Sequence, residues 1–424
     1  MFKKFKFGNF RSFRENQELS MEASNLSKPE LDCFNITEFQ KDRILKSAVI
    51  YGHNSFGKSN IFKALSKMKE IIMRCTTPEY KINIDNFKLN NYSKNEPSYF
   101  EISMIIKDVT YRYGFSVFNT KIIKEWLFKK NVREVNVFNR DINLEEKIKP
   151  STSYLSLKKY IKFTREEELF LSSMIKLNEQ GEIKDIYDWI INNLRVISGD
   201  SIDSNITSSI LSDKELEKEA VVKALKQADL GIEDIEILEE ERDFESMPSY
   251  IKLFIKESTE KGIPNEPIIT LDEVFKHKVF SENKELIGLE SFNLEENESQ
   301  GTIKFYSLIG PIMDSLKNGY TLFIDELDSK LHHSITKYII ELFHDISINT
   351  KNAQLIFNTH DVYLLKEDIF RRDQIYFTSK NEYGESELYS LAEFKGLDSK
   401  ANILAHYLAG NFGSLGSVST SIDN

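Results

Sequence analysis

Three near-continuous apolar runs lie along the chain, within residues 44–51, 320–327 and 353–360. Such a run predicts a strand that is buried on both faces, as in a parallel sheet covered by helices. The first run is followed by a glycine-containing loop and then by apolar residues at helical spacing, over residues 61–72. The pattern therefore predicts a strand, a loop and a helix in succession.

Other stretches of the chain have different periods. Residues 99–138 alternate apolar and polar positions with period two, which predicts an antiparallel meander. Residues 151–230 have helical spacing, whereas residues 232–290 are mixed and rich in charge. No heptad pattern is sustained over several repeats, so a long coiled coil is not expected.

These patterns predict an α/β head with a mixed sheet, an antiparallel meander and an inserted helical subdomain. Residues 1–150 and 291–395 are expected to fold together as the two halves of the head. Residues 151–290 are expected to form a mostly helical insertion. Residues 396–424 are expected to form a tail whose Gly/Ser-rich end, from residue 413, frays.

The composition narrows the function classes. The 424 residues carry a formal net charge of −11, so the chain is a poor candidate for a broad nucleic-acid coat, although a local basic groove stays possible. The two cysteines are far apart and lack metal-ligand spacing, which fits a reducing compartment. The N-terminus has no apolar signal region, and no run approaches the length of a membrane helix. We therefore expect a cytoplasmic protein with no membrane partner.

The loop after the first apolar run, residues 52–59, has the pattern G-x-x-x-x-G-K-S. Gly52 and Gly57 would let the backbone turn and point N–H groups at phosphate oxygens. Lys58 would place a charge between the outer phosphates of ATP, and the Ser59 hydroxyl would bind Mg²⁺. Further candidates for nucleotide contacts are Asn54 and Asn60. The alternative is a glycine turn before a structural helix, which the strand–loop–helix context disfavours.

The second apolar run ends in two carboxylates. Asp325 would lie at the tip of a buried strand, where it can hold Mg²⁺ through water, and Glu326 would act as general base on the attacking water. The alternative is an acidic strand end that faces solvent. The preceding residues, 321–324, are too apolar for an exposed strand.

Two further segments could contact phosphate. His360 follows the third apolar run and could bond the γ-phosphate, although a lone histidine after a strand is more often structural. Residues 295–309 form a polar turn that opens an amphipathic helix, with Ser299 as candidate N-cap and Gly301 in the turn. A helix N-terminus favours anions, but the alternative is a capped helix without a ligand.

The four segments in this order resemble the head domain of the ABC-type ATPase superfamily, including SMC-type heads. The resemblance assigns the phosphate-binding Walker A motif to 52–59, the signature motif to 299–302, the Walker B motif to 321–326, the D-loop to 328–331 and the H-loop to His360. The opening "NFRSF" is similar to the start of SMC- and RecF-type heads, which implies that Arg11 lies near the nucleotide. The family also implies at least a homodimer, in which Ser299 and Gly301 act in trans.

A narrower resemblance covers nearly the whole chain. The signature "ESQGT", the segment "RRDQIYFTSKNEYGESELYSL" and the late "YLAGNFGSLGS" look like the AAA-family ATPases of phage-defence operons, of the RloA and AbiL type, related to the ATPase subunits of PARIS and Septu systems. This resemblance implies an oligomeric ATPase that uses ATP and Mg²⁺, senses a phage-derived trigger and controls a nuclease effector from the same operon.

The chain departs from these families in several places. No Q-loop glutamine can be assigned, and Asn86 is a weak candidate. The segment after the H-loop has neither a Toprim-type acid cluster nor an H-N-H pattern, so no nuclease activity is expected in this chain. The pair His332–His333 is expected at a helix start on the surface rather than at a metal.

Several functions stay open at this level. The main hypothesis is a regulatory ATPase that controls an effector. One alternative is a compact RecF/SMC-like DNA repair ATPase with DNA as partner. Another is a scaffold that nucleotide locks with little turnover, and a transporter ATPase fits least. The residue pattern also leaves ATP versus GTP open.

Overall fold

The computed structural model describes residues 1–26, 28–39, 42–198, 202–212, 218–242, 268–398 and 401–415. The chain divides into two compact units. The larger unit comprises Met1–Asp200, Ser315–Ser329 and Thr336–Asn424, and the smaller unit comprises Ser201–Asp314 and Lys330–Ile335.

Among the described residues, strands and helices contribute similar shares of the regular structure. In chain order, the strands of the described residues are β1 Phe2–Gly8, β2 Gln17–Ser20, β3 Ile36–Phe39, β4 Asp42–Leu45, β5 Ser47–Tyr51, β6 Ser98–Ile106, β7 Val109–Phe118, β8 Lys121–Lys130, β9 Glu134–Asp141, β10 Ile148–Pro150, β11 Leu194–Ser198, β12 Ile232–Arg242, β13 Ile268–Phe280, β14 Leu286–Asn293, β15 Thr321–Asp325, β16 Gln354–Asn358, β17 Ile375–Lys380 and β18 Ser386–Ser390.

The helices are mostly short. In chain order, the α-helices are α1 Pro29–Asn35, α2 Lys58–Arg74, α3 Phe170–Lys176, α4 Glu182–Asp188, α5 Asn205–Ser212, α6 Lys218–Gln227, α7 Leu294–Asn297, α8 Gln300–Asn318, α9 His333–His344 and α10 Ile403–Leu408. A π-helix covers Trp189–Asn193, and 3-10 helices cover Ser93–Asn95, Thr152–Phe163, Val362–Leu365, Arg372–Gln374 and Leu391–Glu393.

The sheet that positions the candidate site has the strand order β11-β15-β16-β5-β17-β18. Its first five strands run parallel, and β18 pairs antiparallel with β17. Every residue of β5 and β16 is buried, because these strands are covered on both faces. The three predicted apolar strands are therefore confirmed as the neighbours β15, β16 and β5, and their carboxyl ends meet at one edge of the sheet.

The second sheet of the larger unit is antiparallel throughout, with the order β10-β9-β8-β7-β6-β1-β2. The meander predicted over residues 99–138 is confirmed as β6 to β9. Its apolar side chains share one core with those of α2 and of the parallel sheet. The rings of Phe2 and Phe323, for example, meet edge to face at 5.4 Å, which joins β1 to β15. This topology confirms the predicted α/β class with a mixed sheet and a meander.

The smaller unit contains an antiparallel sheet of order β12-β13-β14 with helices packed on it. Phe275 of β13 meets Tyr306 of α8 edge to face at 5.0 Å. The hydroxyl of Thr207 in α5 donates to the carbonyl oxygen of Tyr306 at 2.7 Å. These contacts hold α5, β13 and the first part of α8 together.

The structure differs from the expected helical insertion at residues 151–290. Residues 151–200 belong to the larger unit, where β11 extends the parallel sheet beside β15. The charge-rich stretch contains β12, β13 and β14. Runs of charged residues interrupt the apolar positions of β12, as in "IEDIEILEEER", so the sequence shows no regular strand period there.

The C-terminal tail is also partly ordered. Residues 401–415 contain α10, and the side chains of Tyr407 and Phe412 are buried. Of the predicted frayed end, residues 413–415 are described and Ser414 is buried, whereas residues 416–424 lie outside the described residues. Among the described helices, none has the length and apolarity that crossing a membrane requires.

Candidate nucleotide-binding site

The phosphate loop connects the end of β5 to the start of α2 and leaves no room for side chains at its glycines. Gly57 has a φ of +100°, and a Cβ there would lie 2.8 Å from the Ser12 hydroxyl oxygen and 2.9 Å from that of Ser386. A Cβ on Gly52 would lie only 2.1 Å from the Thr378 hydroxyl oxygen. The neighbouring chain therefore requires glycine at both positions.

Lys58 points back into the loop. Its side chain is buried, and Nζ donates to the carbonyl oxygens of Gly52 at 2.7 Å and His53 at 3.4 Å. Burial lowers the pKa of Lys58, and the nearby carboxylates of Glu326, Asp325 and Asp328 oppose this shift. The ammonium group is thus held inside the loop, close to the predicted acidic residues.

Asp325 and Glu326 follow directly from the buried residues of β15. Glu326 has a φ of +61°, a backbone conformation that costs a residue other than glycine about 1–3 kcal/mol. Such strain is found where the surrounding structure fixes a functional side chain. The chain direction therefore changes sharply at the predicted general base.

Asn358, the last residue of β16, holds this turn in place. Its side chain is fully buried, its Nδ2 donates to Asp325 Oδ1, and its Oδ1 accepts from the backbone N–H of Glu326. Its carbonyl oxygen accepts from the Leu327 N–H at 3.2 Å. Asn358 was not among the predicted site residues, although a polar side chain directly after the apolar "LIF" was a usable signal.

His360 lies two residues beyond Asn358, at the same sheet edge. Its backbone N–H donates to the Asp328 carboxylate, at 3.1 Å to Oδ2. Partial burial lowers the pKa of the His360 ring, the nearby Lys58 charge lowers it further, and Asp328 opposes the shift. The structure therefore brings Lys58, Asp325, Glu326 and His360 to one edge of the parallel sheet.

The N-terminal segment lies against the loop. Ser12 Oγ accepts from Asn60 Nδ2 at 2.8 Å, so the predicted nucleotide ligand Asn60 is bonded to this segment. Arg11 forms an ion pair with Asp85 at 3.0 Å and lines a groove of about 350 Å³. Asn86, the weak Q-loop candidate, lines the same groove, and its side chain donates to the Glu96 carbonyl oxygen at 2.8 Å.

The remaining predicted ligands in the phosphate loop are Asn54 and Ser59. Asn54 is exposed, and Ser59 is partly buried in the first turn of α2. The loop fits a triphosphate with Mg²⁺, because its glycines leave a space that a Cβ would fill and the buried Lys58 lies beside that space. Ser59 and Asp325 are residue types that hold Mg²⁺.

The signature residues belong to the smaller unit. Ser299 Oγ accepts from the Thr302 N–H at 3.1 Å, so the predicted N-cap of α8 is present. A Cβ on Gly301 would lie 3.2 Å from the carbonyl oxygen of Lys330. The side chain of Lys330 donates from Nζ to Gln300 Oε1 at 3.1 Å. The start of α8 therefore packs against the predicted D-loop.

The histidine pair next to the D-loop lies at a helix start, as expected. His332 Nδ1 is 2.8 Å from Ser334 Oγ, and α9 begins at His333. Within the described ranges, no group of three His, Cys, Asp or Glu side chains is placed to hold a metal ion.

The parallel sheet, the glycine loop and the acidic strand end define a P-loop ATPase of the AAA type. The family model described as "AAA domain, putative AbiEii toxin, Type IV TA system" matches residues 47–366, and the chain belongs to this family. Among solved structures, the SMC head domain from Thermotoga maritima is similar at 11% identity, with 92% of this chain and 98% of that chain covered and a TM-score of 0.40. No curated protein matches the chain.

Proposed function

We propose that the chain is an ATP-binding and ATP-hydrolysing regulatory subunit of a bacterial antiphage, abortive-infection system. It oligomerises through its heads and controls a separate effector, a nuclease encoded nearby. The family description, with its toxin–antitoxin association, supports this setting. The resemblance to RloA- and AbiL-type ATPases, and to the PARIS and Septu ATPase subunits, adds the phage trigger and the effector.

One observation carries the catalytic part of the proposal. The buried Lys58 lies in the phosphate loop that follows β5, and Asp325, Glu326 and His360 come from the ends of the neighbouring strands β15 and β16. This set requires no covalent intermediate, because positioning and charge stabilisation are sufficient for phosphoryl transfer to water.

Each residue then has a defined role. The backbone N–H groups of Asn54, Ser55 and residues 57–59, together with the Lys58 ammonium, bind the β- and γ-phosphates. Ser59 and Asp325 hold Mg²⁺, which, when bound, offsets the charge that develops on the phosphate oxygens. Glu326 accepts the proton of the attacking water, and neutral His360 donates a hydrogen bond to the γ-phosphate. Ser299 and Gly301 of a second copy contribute the α8 N-terminus to the same phosphate.

The test is ATP turnover of the purified chain beside its Glu326→Gln variant, together with the mass in solution with and without ATP·Mg²⁺. Glu326→Gln is expected to lower kcat by about 100-fold or more while ATP binding persists, because the amide cannot accept the proton. Equal turnover in the two proteins would refute the role of Glu326.

Further measurements separate the alternative functions. A nucleotide-dependent assembly without measurable turnover, even with partner and trigger, would favour the scaffold. Salt-sensitive binding of DNA by the chain alone would favour the compact repair ATPase. Suppression or release of a neighbouring nuclease on co-expression would support the effector.

A further inference from the structure

The C-terminal segment contacts the phosphate loop directly. The backbone N–H of His53, the second residue of the loop, donates to the carbonyl oxygen of Ser414 at 2.9 Å. Ser414 is 1% exposed, so this bond is shielded from water. His53 also holds the next residues of the loop, because the Phe56 N–H donates to the His53 carbonyl oxygen at 3.2 Å.

Aromatic rings anchor this segment to the strand that precedes the loop. Tyr407 packs on Tyr51, the last residue of β5, with ring centres 5.8 Å apart. Both Tyr407 and Phe412 stack on Phe377 of the neighbouring strand β17, at 5.7 Å and 4.9 Å and with ring planes 19° apart. Tyr389 of β18 also donates its hydroxyl to the Phe412 carbonyl oxygen.

Two glycines shape the segment so that it can reach the loop. Gly410 and Gly413 have φ values of +74° and +69°, a conformation that favours glycine. The Gly410 N–H donates to Tyr407 and the Gly413 N–H to Gly410, at 2.9 Å and 3.0 Å. The turns bring the Ser414 carbonyl oxygen to His53 from a helix that ends at Leu408.

We propose that residues 407–414, here called the C-terminal clamp, position the first half of the phosphate loop for nucleotide, with Phe412 as the main positioning residue. This inference rests on the proposed ATPase function. Other residues support the second half of the loop, because Gly57 lies against Ser12 and Ser386. Between these two supports, Asn54 and Ser55 are exposed, so the loop depends on its ends for its shape.

The clamp has a specific kinetic consequence. A loop that is already ordered binds phosphate without first losing conformational freedom, whereas a released loop must be ordered by the nucleotide itself. Loss of the clamp therefore weakens binding, whereas Asp325, Glu326 and His360 at the ends of β15 and β16 keep their places. We expect KM for ATP to rise about tenfold and kcat to change less than about twofold.

The test uses the full-length chain with Phe412→Ala, its conservative partner Phe412→Tyr, and the matched control Phe370→Ala. Phe370 is a comparably buried ring of the larger unit, and it packs on Phe357 and His344 away from the loop. Two quantities are measured: hydrogen exchange of the amides in residues 52–57 without nucleotide, and KM and kcat for ATP. Phe412→Ala should accelerate loop exchange and raise KM, whereas Phe412→Tyr and Phe370→Ala should leave both near the wild-type values.

Several outcomes decide the proposal. Unchanged loop exchange in Phe412→Ala overturns it, and so does faster exchange with unchanged KM. If Phe412→Ala is broadly unfolded, Tyr389→Phe replaces it, because this variant removes only the hydroxyl that bonds the Phe412 carbonyl, and the same two readouts apply. If the wild-type chain neither binds nor hydrolyses ATP, the proposed function fails. Loop exchange would then show separately whether the clamp holds the loop, and its role in nucleotide binding would fall with the function.

Discussion

The phosphate loop and the signature turn both lead into a helix N-terminus, but the protein supports them differently. The phosphate loop is packed by Thr378, Ser12 and Ser386, which are distant in sequence, and is bonded by Ser414. At the signature turn, the Ser299 hydroxyl caps its own helix. The loop is therefore supported by distant parts of the larger unit, whereas the signature turn combines its own cap with contacts from Lys330 and His277 of the smaller unit. Changes near the loop should weaken ATP binding, whereas changes in the signature turn should lower turnover and leave ATP binding intact.

The largest effect is expected from Gly52→Ala. The new Cβ would lie 2.1 Å from the Thr378 hydroxyl oxygen and 2.9 Å from its carbonyl oxygen, so the loop backbone must move. We expect ATP affinity to fall by about 100-fold or more, roughly 2.7 kcal/mol, as measured by titration calorimetry. The matched control is Gly288→Ala in β14, where a Cβ has no neighbour within 4 Å. Equal affinity in the two variants would show that the loop does not bind nucleotide.

The second prediction tests whether the signature turn acts on another copy. Ser299→Arg removes the N-cap of α8, and Glu326→Gln removes the general base. Each variant should lower turnover by about 100-fold. In a two-fold dimer, an equimolar mixture should recover about a quarter of the wild-type turnover, because half the dimers are mixed and each of these has one intact site.

The control for this experiment is Ser291→Arg, which places the same side chain at an exposed position of β14 and should leave turnover unchanged. Subunit exchange is checked by native mass measurement of the mixture. Mixed dimers without recovered turnover would show that Ser299 acts within its own chain or only through stability.

The third prediction concerns Asn358. Replacement by Leu removes both the donor to Asp325 and the acceptor for the Glu326 N–H in a fully buried position. We expect kcat to fall about 10- to 100-fold, since a buried polar group without its partner costs about 1–3 kcal/mol. The Mg²⁺ concentration for half-maximal turnover should rise, because Asp325 loses its orienting bond.

Asn349→Leu is the matched control for Asn358. Asn349 is equally buried, but its side chain bonds only backbone groups, with Nδ2 donating to Phe343 and Ala353 at 2.7 Å and 2.9 Å. It should lower stability without changing the Mg²⁺ dependence. If both variants shift the Mg²⁺ dependence equally, Asn358 has no specific role in holding Asp325.

Local patterns predicted much of the parallel sheet but little of its support. Each apolar run and the G-x-x-x-x-G-K-S loop is contiguous in sequence, so its period and its residues could be recognised without the fold. The bonds from Asn358 to Asp325 and from His53 to Ser414 join residues far apart in the chain, and no local pattern encodes such pairs. Strands β12 to β14 were missed for another reason, because consecutive charged residues break the period of two that predicts a strand.

The last prediction concerns acid stability, and it compares the two units. In the larger unit, burial lowers the pKa of His344 to about 3, and its ring bonds Ser47 Oγ at 2.7 Å. In the smaller unit, His277 Nε2 lies 2.6 Å from a carboxylate oxygen of Glu298. Below about pH 6.5, the ordinary pKa of histidine, His344 is protonated in the unfolded chain but not in the folded chain. The free energy of unfolding therefore falls as the pH falls. The larger unit should therefore lose about 1.4 kcal/mol per pH unit between about pH 6 and pH 4, as measured by hydrogen exchange of each unit. His344→Gln should flatten this dependence, and a smaller unit that loses stability first would contradict the assignment.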